Sequence, residues 1–148
     1  MTNSADFIIS GEILEKYNGT SSEIAVPRGI KELGVGAFRH CRSLKSLVLP
    51  NSIIRISNNA FEFYTGLTDI TMPNSVMLIG SSAFSDCSNL KSITLSNNII
   101  EIGDSAFYGS DSLENIILPN RIKKNGKSAF SDCTKLHKIE LGMRELNT

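Results

Sequence analysis

The dipeptide Ala-Phe occurs at Ala37-Phe38, Ala60-Phe61, Ala83-Phe84, Ala106-Phe107 and Ala129-Phe130, each copy 23 residues after the last. No insertion or deletion interrupts the spacing, so every unit occupies the same volume as its neighbour. A unit this short cannot bury its own apolar face, and constant period therefore points to a solenoid of stacked coils. Other positions share the period. Six residues after Phe stands Leu44, Leu67, Leu90, Leu113 or Leu136; nine after, Leu47, Ile70, Ile93, Ile116 or Ile139; eleven after, Leu49, Met72, Leu95, Leu118 or Leu141. Pro50, Pro73, Ser96 or Pro119 follows, then Asn51, Asn74, Asn97 or Asn120, and two further on Ile53, Val76, Ile99 or Ile122.

Each unit reads as a strand, a turn and a second apolar rung. The apolar residues nine and eleven after Phe are two apart and face one side of a short strand, while the residue between them faces out. Pro and Asn then end the strand, Pro by fixing φ and removing a donor, Asn by tolerating the turn. Gly34, Gly80, Gly103 and Gly126, with Ser57 in the same slot, precede the Ala-Phe pair and are expected to let the backbone bend. Beyond the bend, the Ala-Phe segment is expected to form a turn of helix with Phe filling the centre. Coils stacked ~4.8 Å apart make a parallel sheet of short strands, hydrogen-bonded at every edge except those of the two end coils.

Written C-x-x-L-x-x-I-x-L-P-x-x-x-x-x-I-G-x-x-A-F-x-x, the unit resembles the treponemal-type leucine-rich repeat of BspA-like proteins. Cys87-Ser-Asn-Leu90-Lys-Ser-Ile93-Thr-Leu95 and Ile102-Gly103-Asp-Ser-Ala106-Phe107 match it best. The resemblance runs from Ile24 to Leu141, and Phe7 to Gly19 looks like the cap that opens such arrays. It implies a leucine-rich repeat solenoid, mostly β and loop, with short parallel strands and short helical or 3-10 turns. On this reading residues 1–22 are an N-terminal capping segment, 23–142 an array of about five coils and 143–148 a C-terminal tail, all in one domain. The last unit departs from the pattern: Asn125 stands where Leu33, Ile56, Ile79 and Ile102 do, Lys123 and Lys124 precede it, and Met143 replaces the turn Asn. This reads as a polar stop.

By function, the resemblance implies noncatalytic recognition of a protein or glycan, as an adhesin or interaction module at the cell surface or in secreted form. A structural spacer within a larger surface protein is the alternative. The first thirty residues carry no secretory signal, which leaves a cytoplasmic location open as well.

Composition removes other classes. Lys and Arg number 15 against 15 Asp and Glu, so no net positive charge is available to displace counterions from nucleic acid. Apolar runs are far shorter than the ~20 residues that cross a bilayer, which argues against membrane insertion. Cys41, Cys87 and Cys133 occupy one slot in alternate coils, with Tyr64 and Ser110 between them. Two coils separate them by ~10 Å, beyond the ~7 Å limit for a disulfide, so they are read as free buried thiols. Neither Cys133 with His137 nor His40 with Cys41 has further ligands at metal spacing. Gly126-Lys127-Ser128 looks like the end of a phosphate loop, but the required Gly five residues earlier is Arg121. No G-x-S-x-G is present, and the two histidines have no acidic partner at fixed spacing. No enzyme, cofactor or metal is expected.

Two surfaces are candidates for recognition. Residues eight after Phe form one outward column (Ser46, Asp69, Ser92, Asn115, Lys138), and residues ten after Phe form another (Val48, Thr71, Thr94, Ile117, Glu140). The second is uncharged over four coils and suits a flat recognition strip. Between the two rungs that follow the turn, Ile54, Met77, Leu78 and Ile100 interrupt an otherwise charged series and form an apolar patch suited to a partner or to self-association. Arg121, Lys123, Lys124 and Lys127 read as a solvated basic face.

Overall fold

The fold is that of a computed structural model, which describes residues 4–141. A 3-10 turn (Ser4–Asp6) leads into an antiparallel hairpin of β1 (Phe7–Ser10) and β2 (Ile13–Tyr17). After it the chain winds in coils, each contributing one short strand to each of two faces. On the first face β4 (Glu32–Leu33), β6 (Arg55–Ile56), β8 (Leu78–Ile79), β10 (Glu101–Ile102) and β12 (Lys124–Asn125) continue from the hairpin in the order β1-β2-β4-β6-β8-β10-β12. On the second face β3 (Glu23–Ala25) pairs with β5 (Ser46–Val48). The strands β7 (Asp69–Thr71), β9 (Ser92–Thr94), β11 (Asn115–Leu118) and β13 (Lys138–Leu141) form a separate four-stranded sheet.

All pairings after the hairpin are parallel, and partners such as Ile56 and Ile79 or Ile70 and Ile93 are one period apart. The array is thus a β-solenoid of 23-residue turns. On the first face the parallel ladder starts at β2, which pairs with β4 through Ile13–Glu32 and Leu14–Leu33. The tail at 143–148, with Met143, lies outside the described residues.

The Ala-Phe segment is not helical, contrary to the sequence expectation. Among the described residues the one helical element is the 3-10 turn Ser4–Asp6. Successive donors of each arc alternate between two acceptors. Ala37, Arg39 and Cys41 donate to the carbonyl three residues back, while Gly36, Phe38 and His40 donate to Asn58, Ala60 and Glu62 of the next coil. Two slots per arc, two residues before and two after Phe, take left-handed φ. They hold Gly36, Asn59, Ser82, Ser105 and Ser128 before the ring, and His40, Phe63, Asp86, Gly109 and Asp132 after it. A right-handed helix would consume every donor internally; the left-handed residues turn alternate donors outward to the neighbouring coil.

The glycine before the pair serves a different purpose from the bend expected of it. Gly80, Gly103 and Gly126 lack positive φ, but a Cβ on any of them would strike the backbone of the preceding coil: on Gly80 it would lie 2.6 Å from the Asn58 nitrogen, and on Gly103 and Gly126 it would meet Ser81 and Asp104. Close backbone approach, not turning, selects glycine. Ser57 is tolerated in that slot, where its hydroxyl donates to Glu32 Oε1 at 2.6 Å.

The phenylalanines form one continuous stack through the core. Phe38, Phe61, Phe84, Phe107 and Phe130 have centroids 5.0–5.4 Å apart and planes within 9° of parallel, and Tyr17 and Phe7 extend the column into the hairpin. Separations this wide between parallel rings mean slipped stacking, the arrangement that the ring quadrupole favours. The first four rings are fully buried and Phe130 only partly, because no described coil covers it.

One rung is missing. The ladder on the second face breaks between β5 and β7, where the Cys slot holds Tyr64, whose hydroxyl reaches across to donate to Leu44 O at 2.9 Å. A larger ring fills space that a thiol or hydroxymethyl occupies elsewhere. Replacing Phe84 with Ala is expected to cost about 3–5 kcal/mol in denaturant unfolding, and the same change at Phe130, already half open, clearly less; equal costs at the two sites would contradict the buried stack.

Candidate binding faces

The outward columns of the second face sit where the alternation puts them. In β5, β7, β9 and β11, the residues eight and ten after Phe are exposed: Ser46, Asp69, Ser92 and Asn115 in one line, Val48, Thr71, Thr94 and Ile117 in the other. Thr71 and Thr94 are register partners, as are Ile117 and Glu140. Val48 and Ile117 are 60% and 57% exposed, large values for aliphatic side chains. Lys138 and Glu140 close the end of the strip as an ion pair at 2.6 Å. Between β5 and β7 the absent backbone bonds separate Val48 from Thr71; Thr71 and Thr94 are bonded in register, and β9 and β11 pair through Ser92 and Asn115.

On the first face Ile54 and Met77 are exposed, whereas Leu78 and Ile100 are half-buried. Leu78 lines a groove of about 260 Å³ that crosses several coils. One wall carries Glu32, Arg55, Leu78 and Glu101, the other Val35, Asn58 and Ser81, and the glycine lane forms the floor. The groove exists because close coil stacking forbids side chains along that lane. The groove is not apparent from the sequence; its signal is the periodic glycine, a residue that suits a bend equally well. Glu32 accepts from Ser57, Lys124 lies 3.6 Å from Glu101, and Asn58 Oδ1 accepts from the Ser81 amide at 2.9 Å. Among the described residues Arg55 has no ion pair.

The thiols have a structural explanation that the sequence did not supply. Cys87 Sγ donates to Phe61 O at 3.1 Å and Cys133 Sγ to Phe107 O at 2.9 Å, and Ser110 Oγ makes the equivalent bond to Phe84 O at 2.7 Å. Each slot donor ties its coil to the carbonyl of the Phe one coil back. Burial pushes the Cys87 thiol up to about 12 from 9.0, and also raises Cys41 and Cys133. These thiols stay protonated, as hydrogen-bond donors must, and are poor nucleophiles at neutral pH. Among the described residues no three His, Cys, Asp or Glu groups are placed to hold a metal ion, and no helix is long and apolar enough to cross a membrane.

Residues 56–147 match the BspA type leucine rich repeat region, in six copies. The chain belongs to the BspA-type leucine-rich repeat family. Its fold is similar to the crystal structure of the T. pallidum leucine-rich repeat protein, with a TM-score of 0.87 and 30% identity over 93% of this chain and 70% of that one. A leucine-rich repeat protein from Bacteroides capillosus shares the fold at a TM-score of 0.59 and 21% identity, over 93% of this chain and 99% of its own. One from Bacteroides ovatus does so at 0.61 and 23%, over 86% of this chain and 40% of its own. No curated protein matches the chain. BspA-type repeats are scaffolds for protein interaction, and the two faces and the arc rim are the surfaces this scaffold offers.

Burial of the Cys87 thiol also predicts a pH dependence. Below pH 9 the Cys87 thiol is protonated in the folded and the unfolded chain alike; above it the unfolded chain releases the proton and the native one does not, so stability falls between pH 9 and 12. In that window Cys87 contributes up to about 1.4 kcal/mol of loss per pH unit. Cys87→Ser keeps the donor and removes the titration, so urea denaturation is expected to show a shallower alkaline decline in the variant; parallel declines would contradict the assignment.

Proposed function

We propose that this BspA-type array is a noncatalytic protein-recognition module acting as an adhesin, and that its recognition surface is the strip of Val48, Thr71, Thr94 and Ile117 on the second face with the neighbouring column of Ser46, Asp69, Ser92 and Asn115. The observation that carries the reading is the exposure of Val48 and Ile117 at either end of an uncharged line on the second face. A row of β-branched side chains, each stiff at χ1, loses little side-chain entropy on contact and leaves few charges to desolvate. Its polar neighbours supply hydrogen-bonding groups at the same spacing. A glycan partner would use those hydroxyl and amide groups in preference to the aliphatic line.

The test is capture. Immobilised chain is exposed to solubilised extracellular matrix beside the variant carrying Val48→Lys, Thr71→Lys, Thr94→Lys and Ile117→Lys, and bound proteins are identified by mass spectrometry. Proteins retained by the natural chain and lost from the folded variant support the strip. A structural spacer gives equal, nonspecific retention by both.

The apolar patch supports self-association as a second mode, because exposed Ile54 and Met77 lie side by side on adjacent coils next to the groove. Sedimentation of the natural chain is expected to show concentration-dependent dimers, abolished by Met77→Glu with Leu78→Glu. A monomer throughout would reject this mode.

A further inference from the structure

The outer rim of the arcs, away from both sheets, carries a surface that no part of the solenoid explains. The slot two residues after the core Phe requires left-handed φ, and four of its five occupants are His40, Asp86, Gly109 and Asp132, types that accept that conformation cheaply. The fifth is Phe63, at φ 57° and 37% exposed. A bulky aromatic there leaves part of its ring in solvent and bears backbone strain of about 1–2 kcal/mol. Nothing in the core needs it, since Phe61 already supplies the ring of that coil.

The neighbourhood of Phe63 is ordered. His40 stacks on one face of its ring, centroids 4.9 Å apart and planes 7° from parallel. Arg39 lies 5.9 Å from the ring centroid and is tied to Glu62 at 2.9 Å. One coil along the array, the same slot holds Asp86. The Asp86 carboxylate accepts from Ser85 Oγ at 2.9 Å and leans over Gly109, whose missing Cβ leaves room for it. Tyr108 follows, 38% exposed, with Asp132 beside it as a hydrogen-bond partner of its hydroxyl. Among the described residues no cationic side chain is within ion-pair distance of Asp86 or Asp132.

Exposed aromatic rings on the same rim as carboxylates that have no cation of their own complement one kind of group: a cation that meets a π-face and an anion together. Arg39 shows that the ring already attracts a guanidinium. We infer that this rim docks a basic segment of a protein partner, with an arginine or lysine side chain seated between the Phe63 ring and the Asp86 carboxylate beside Tyr108. The site lies apart from the strip of the second face and does not depend on it. An acidic segment is disfavoured by Asp86 and Asp132, and a purely apolar one would desolvate both carboxylates without supplying a cation.

The experiment uses the full chain and a labelled tetra-arginine peptide, read by fluorescence anisotropy and by amide chemical shifts, with tetra-glutamate as the second arm. Tetra-arginine is expected to bind weakly, to move the amides of Phe63, Asp86 and Tyr108, and to weaken with added salt. Phe63→Gly should cut the affinity about tenfold while the melting temperature stays at or above that of the natural chain, because Gly109 fills the same slot without strain. Phe63→Tyr should retain binding, and Asp86→Asn should weaken it several-fold and flatten the salt dependence. Lysines at the four strip positions should leave tetra-arginine binding intact, so failure of the strip and failure of the rim are distinguishable. Undiminished binding by Phe63→Gly, shifts confined to other faces, preference for tetra-glutamate, or no binding of either peptide at millimolar concentration would overturn the proposal.

Discussion

Adjacent coils are held at the distance that backbone hydrogen bonds dictate, and nearly every other feature follows from that spacing. Strand separation in a sheet is ~4.8 Å, and core rings at 5.0–5.4 Å centroid separation fit it only by slipping and tilting together, which they do in every coil. A side chain cannot stand between two backbones at this separation, hence the glycine lane before Ala-Phe and the trough that it leaves. The same spacing lets a donor as short as serine or cysteine reach the Phe carbonyl one coil back.

Continuous stacking has a conformational cost at the arcs. To send alternate amides to the next coil, each arc adopts left-handed φ twice, and eight of these positions are not glycine. Asn, Asp, Ser and His carry that cost at modest expense because their short polar side chains bond locally. The return is a backbone ladder that runs through the arcs as well as through both sheets, so the solenoid is hydrogen-bonded on three sides and not two.

The period carried most of the fold in the sequence. Five identically spaced Ala-Phe pairs gave the coil length, the inward rings and the outward columns, all of which follow from constant volume and from alternation along a strand. What it could not convey was how donors are partitioned in the arc: Ala, Phe and small polar residues are compatible with a helical turn, and only the position of the next coil makes the left-handed alternative better. The glycine signal was visible but ambiguous, since bending and close approach select the same residue. The recognition columns were legible because they depend on local alternation. The groove and the arc rim were not, since each is assembled from neighbours 23 residues apart; Phe63 in particular looks like one more hydrophobic residue until its φ and exposure are known.

Tyr64 has a mechanical consequence. It bonds Leu44 O at the one junction where the second face lacks its ladder, while the first face and the arcs remain linked across that junction. Bending compliance is therefore concentrated there and directed to one side, like a living hinge moulded into a stiff strip. Under tension, or during a slow opening fluctuation, the outermost coils on the N-terminal side would peel from the remainder as a unit, and the four-stranded block from β7 to β13 would hold its shape.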